Sequence, residues 1–195
     1  MLALAVLGAI NVRVRAQSAA DFAQTAAQQN ADGGFAASPG QPSTLGATNT
    51  GLRVLDYVGG SPLDEPGCIR FVNSCKVPGS GFAQRPGGKP DVVTTAVGLM
   101  AAAELKIVDK AMIDDAVAYF GASAKAFDEV RMSIAGLEAA GARSPDFAHW
   151  AEQLEALRTP DGSFGEHPGK AFVTRGAAAA ILRMGMNLEV LNPRP

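Results

Sequence analysis

Apolar positions recur along this chain at helical spacing, in segments separated by glycine- and proline-rich breaks. Phe22, Ala23, Ala26 and Ala27 fall on one side of a helix over 20–29, which Asp32-Gly33-Gly34 ends. Ser43 or Thr44 then caps a helix running to about Tyr57, closed by Gly59-Gly60. The next pair is a helix over 66–76, carrying Ile69, Phe71, Val72 and Cys75, and a longer one over 92–105. Asp91 is placed to cap the longer helix, in which Val93, Val97, Met100 and Ala103 form an apolar stripe. Segments 111–120 and 127–140 follow, with Gly121-Ala122-Ser123 as the expected turn between them, and then 147–158 and 173–184. No segment alternates as a strand would. The pattern predicts an all-α chain of eight helices in four hairpins.

The breaks themselves repeat. Asp32-Gly33-Gly34-Phe35, Gly79-Ser80-Gly81-Phe82 and Asp161-Gly162-Ser163-Phe164 each present a Phe after a glycine-containing turn. In each, a Pro-Gly pair begins four residues after the Phe: Pro39-Gly40, Pro86-Gly87 and Pro168-Gly169. Phe35 and Phe82 are 47 positions apart, and Phe82 and Phe164 are 82 apart, or twice 41. A period of about 40 residues is that of two-helix repeats. The hairpin of 111–140 lacks the Phe loop.

Composition narrows the classes. In 195 residues, 47% hydrophobic and 18% charged describe a globular chain able to bury a core. The net charge of −2 offers no basic footprint for nucleic acid. The apolar run over 2–10 is too short to span a bilayer, so no transmembrane helix is expected. Followed by Val14-Arg15-Ala16, it reads either as a signal peptide over 1–16 or as an N-terminal helix. The first reading makes the protein exported, secreted or periplasmic; the second leaves it cytoplasmic. The repeat domain then covers 17–188, and a Pro-rich tail 189–195. Cys68 and Cys75 sit seven apart, about 10 Å along a helix and beyond disulfide reach, so in a helix they are expected as buried small hydrophobes; a disulfide needs a non-helical segment, and a zinc pair needs further ligands. No Ser/His/Asp constellation or phosphate loop stands out.

Helix, Asp-Gly-Gly-Phe loop and second helix at this period resemble the prenyltransferase and squalene-cyclase repeat of αα-toroid proteins. Trp150-Ala151-Glu152-Gln153 through Phe164 is similar to the Gln/Trp-rich form of that repeat. Residues 81–107 are similar to the Gly-Arg-Pro-x-Lys-x-x-Asp-x-Cys-Tyr loop and helix of the β subunit of protein geranylgeranyltransferases. The resemblance covers about 20–188 and implies an αα-toroid-type array. A closed toroid of that family uses about six hairpins; four imply a partial or open (α/α) barrel. Unpaired ends imply a homodimer or a helical partner subunit, as the family's β subunits have.

The resemblance also implies a site, of which this chain keeps part. The family's zinc is held by an Asp, a Cys two residues later, and a His from the next repeat. Asp91 stands at the first position, Val93 at the second and Arg131 at the third. One ligand of three leaves zinc implied by resemblance alone, and leaves Asp91 open to a plain role as helix cap. The family's diphosphate contacts correspond to Arg85, at the family spacing from Asp91, and to Lys89, displaced by one residue; Thr94 replaces the family's aromatic. For the isoprenoid pocket the second helices offer Val93, Val97, Met100 and Met132, with Ile134, Leu137, Ala177–Ala180, Leu182 and Met184. Two functions follow: an isoprenoid- or diphosphate-binding relative whose thiol-prenylation chemistry is lost, or a non-catalytic scaffold binding a protein, peptide or lipid.

Overall fold

The computed structural model describes residues 28–186. The expected first helix, apart from its last two residues, the 2–10 run and the tail lie outside them. Among the described residues there are seven α-helices: α1 (Leu45–Tyr57), α2 (Glu65–Ser74), α3 (Val92–Glu104), α4 (Lys110–Ser123), α5 (Phe127–Ala139), α6 (Phe147–Glu155) and α7 (Ala171–Arg183). No strand occurs among them, only isolated bridges. None of these helices is long and apolar enough to cross a membrane.

Helix starts follow from local chemistry. The orphan N–H groups of a first turn need an acceptor. Thr44 accepts from the Ala47 amide at 3.1 Å, Asp64 from Gly67 at 2.8 Å, Asp91 from Thr94 at 2.8 Å and Asp109 from Met112 at 2.7 Å. One expected turn is displaced: Gly121-Ala122-Ser123 belongs to the end of α4. The chain reverses instead at Ala124-Lys125-Ala126, where Glu129 reaches back to accept from the Lys125 and Ala126 amides, both at 2.9 Å. A carboxylate at the third helical position can cap the start by itself, so no turn glycine is needed.

The helices form two layers. The second helix of each hairpin packs along the next, in the order α1, α3, α5, α7, while α2, α4 and α6 cover one side. The inner helices run parallel: Arg131 meets Phe172 near the starts of α5 and α7, and Glu138 meets Arg183 near their ends. Between the layers lie Phe35, Phe82, Phe120, Leu99, Ile134, Leu137, Trp150 and Ile181, each 0–1% exposed. Cys68 and Cys75 are buried and unbonded, as expected; burial pushes their thiols up to about 12 and about 11.

The Phe loops lock inner helices in place by one device. Each Phe pairs across a small antiparallel bridge with the residue six before it: Gln29, Lys76 or Arg158. Its N–H donates to a threonine of the following inner helix: Phe35 to Thr48 at 3.0 Å, Phe82 to Thr95 at 3.0 Å, Phe164 to Thr174 at 2.9 Å. Three residues further on stands Gly51, Gly98 or Ala177. A Cβ on Gly51 would lie 2.8 Å from the Phe35 ring, and one on Gly98 only 2.3 Å from Phe82. The small residue is the seat for the ring. Gly40, Gly87 and Gly169, second in each Pro-Gly pair, have φ of 77°, 74° and 79°, a backbone that L side chains avoid.

Candidate functional site

On the side of the inner layer away from α2, α4 and α6, each inner helix keeps a solvent-facing stripe. Along α3 this stripe is Val93, 39% exposed, then the partly exposed Val97 and Met100. Along α5 it is Asp128, Arg131, Met132 and Ala135, and along α7 Phe172, Arg175, Ala179 and Leu182. All four pocket residues named from the sequence, Val93, Val97, Met100 and Met132, are thus exposed or half-buried. Others that the sequence offered are not. Ile134, Leu137, Ala177, Ala180 and Met184 are 0–1% exposed and belong to the core between layers. Each inner helix touches neighbours on most of its circumference, so an apolar residue is as readily core as lumen.

The loop after Phe82 carries Arg85 and Lys89 into solvent, and neither side chain makes an ion pair among the described residues. The same loop is fixed at its base. Gln84 accepts from the start of α1, with its backbone carbonyl on the Leu45 amide at 2.9 Å and its side-chain oxygen on Gly46 at 3.1 Å. Tyr119 of α4 donates its hydroxyl to the Pro90 carbonyl at 3.1 Å. Burial first, then the nearby Asp91 carboxylate, hold this phenol above the ordinary tyrosine value. Neither Gln84 nor Tyr119 had a local signal, since both act across the fold.

Asp91 caps the head of α3. One carboxylate oxygen accepts from the Thr94 amide at 2.8 Å, the other from the Thr94 hydroxyl at 2.5 Å. Thr94, where the family has an aromatic, is buried and serves this cap. Val93 has no donor atom to offer. Arg131 is paired with Asp128 at 2.5 Å. Among the described residues no group of three or more His, Cys, Asp or Glu could hold a metal ion. A zinc site of the implied kind is a poor fit to these side chains, because a Lewis-acid centre needs several converging neutral or anionic donors.

Arg131 instead belongs to a cluster that the sequence did not suggest. Its guanidinium lies 5.5 Å from the centre of the Phe172 ring, and that of Arg175 lies 5.7 Å from the same ring. Gly176 makes room for it: a Cβ there would stand 2.9 Å from Phe127 and 3.3 Å from the Arg131 Cδ. Two cavities lie elsewhere. One of about 370 Å³ runs along α1, between Gly46, Ala47, Thr50 and Val54 and the segment of Gln28, Ala36 and Ala37. Another of about 180 Å³ opens at the far rim among Asp56, Glu65, Glu104 and Lys106.

Comparison with curated proteins gives no match. Against protein families, residues 1–171 match the prenyltransferase alpha-alpha toroid domain, which takes in the Phe loops, helices α1 to α6 and the start of α7. With its two helical layers and its repeated Phe turns, the chain belongs to the prenyltransferase alpha-alpha toroid domain family.

Proposed function

We propose that this toroid protein binds an isoprenoid or its diphosphate on the inner face and does not carry out zinc-dependent thiol prenylation. The observation that carries the reading is the ligand set: valine and arginine occupy two of the three positions implied by the geranylgeranyltransferase β-subunit resemblance, and Asp91 serves through Thr94 as the cap of its own helix. Zinc activation of a thiol needs several donors converging on the ion, and neither Val93 nor Arg131 supplies one. The apolar stripe of Val93, Val97, Met100 and Met132 supports a place for the prenyl chain, and the solvated Arg85 and Lys89 supply cations for a diphosphate.

Two measurements test this. Titration with geranylgeranyl diphosphate should give binding that weakens about tenfold or more in Arg85→Ala with Lys89→Ala, since each lost charged hydrogen bond is worth that much; unchanged affinity removes the loop from the site. Metal analysis of the purified protein should give far less than one zinc per chain, and stoichiometric zinc would restore the enzyme reading.

A second reading is favoured by the far rim, where Tyr57 and Leu63 are 77% and 72% exposed. Large apolar side chains left in water suit a scaffold that binds a protein, peptide or lipid. The inner layer points the same way, because α1 and α7 each have an inner neighbour on one side only among the described residues. A homodimer or a helical partner subunit would cover such flanks, and concentration-dependent sedimentation tests it: a strict monomer argues against self-pairing. Export is tested by the mature N-terminus; a chain starting near 17 means a cleaved signal.

A further inference from the structure

The Arg131–Phe172–Arg175 cluster has no part in the fold's core and none in the loop of Arg85 and Lys89. Arg131 is pre-set: Asp128 holds its Nε, the Met132 sulfur lies 3.5 Å from one terminal nitrogen, and its aliphatic stem lies over Gly176. A helix-interior glycine costs about 0.5–1 kcal/mol against alanine, so Gly176 keeps this channel open at the expense of α7. Arg175 makes no ion pair among the described residues, and Phe172, which both guanidinium groups approach, is 57% exposed. An exposed aromatic ring beside two partly free guanidinium forks is a place for an oxyanion whose apolar body can lie against the ring.

Resting on the reading of the inner face as a ligand surface, the geometry points to a site for a monocarboxylate with an alkyl chain, its carboxylate held by Arg131 and Arg175 and its chain laid over Phe172. Free donors decide the head group of the ligand. With Asp128 already bound to Arg131, what the pair offers is the fork of Arg175 and the free edge of Arg131, which suits one small oxyanion. Surroundings decide the body of the ligand. Beyond the ring the inner face continues as Met132, Ala135, Ala179 and Leu182, side chains that give no hydrogen bonds to a peptide backbone but cover an alkyl chain.

The test is calorimetric titration of the full chain with decanoate, with decanol and decyltrimethylammonium as controls of equal chain length. Binding of decanoate at least tenfold tighter than of either control is expected. Arg175→Ala, whose side chain is exposed and unpaired, should abolish that preference with helix content unchanged by circular dichroism. Arg175→Lys should restore part of it, since the charge returns without the fork. Equal affinity for decanoate and decanol, no decanoate binding, or a preference that survives both Arg175→Ala and Arg131→Ala would each overturn the site. Geranylgeranyl diphosphate with Arg85→Ala/Lys89→Ala reads the other proposal separately, so either can fail alone.

Discussion

The second and third hairpins solve one packing problem in two ways. In the second, the loop returns Phe82 into the core, its N–H bonded to Thr95 and its ring seated on Gly98. In the third there is no loop and no Phe, yet the same small-residue spacing persists in Ser133 and Gly136. The Ser133 hydroxyl turns back to the Glu129 carbonyl at 2.8 Å. The space over Gly136 is filled by the backbone of α3: a Cβ there would lie 2.8 Å from the Ala96 Cα. One glycine thus receives a ring and the other a helix. The threonine or serine and the small residue set the register of the inner layer; the Phe loop is one of two ways to fill it.

That contrast can be broken, beginning with its largest element. Phe82→Ala, at a side chain 1% exposed, should cost about 3–5 kcal/mol of unfolding free energy in denaturant titration. A loss below about 1 kcal/mol would mean that the ring is not the plug. Next, Gly136→Val should cost about 1–3 kcal/mol, because the obstacle is backbone and cannot rotate away.

Smaller and sharper is the hydroxyl pair. Thr95→Val leaves the buried Phe82 amide without an acceptor and should cost about 1–3 kcal/mol. Ser133→Ala removes only a bond within one helix and should stay within about 0.5 kcal/mol. Equal costs would erase the distinction between the hairpins.

The smallest effect is electrostatic and belongs to the third hairpin alone. Amide bonds from Ala126 and then Lys125 hold the Glu129 carboxyl below the ordinary glutamate value. Its folded value lies under its unfolded one, so its contribution is present above the unfolded value and fades as pH falls through the folded one. Glu129→Gln should flatten that acid limb in a series of melts, and an unaltered pH profile would show that the cap contributes nothing.

Much of the fold was legible because its signals close within a few residues. Asp91 caps a helix whose first turn is adjacent in sequence, and Pro86-Gly87 carries its own turn geometry. The turn at Gly121-Ala122-Ser123 was misread because glycine marks a break only where nothing else caps the next helix; Glu129 does so here. The threonine and glycine three apart stand in the first two hairpins, but their meaning lay in the Phe they receive, 13 residues earlier for Thr48 and Thr95. The site was legible by halves. Val93, Val97, Met100 and Met132 are exposed or half-buried, while Ile134 and Leu137, of the same chemistry, are core.

By itself the sequence determined the seven described helices to within a few residues, the caps at Thr44 and Asp91 and the three Phe turns, since each depends on bonds and dihedrals inside a short stretch. Only the tertiary structure decided that Gln84 caps α1 and that Arg131 lies over Gly176 beside Phe172. Those contacts join residues up to 45 positions apart, and a side chain's role there is set by which neighbour the packed layers bring within reach.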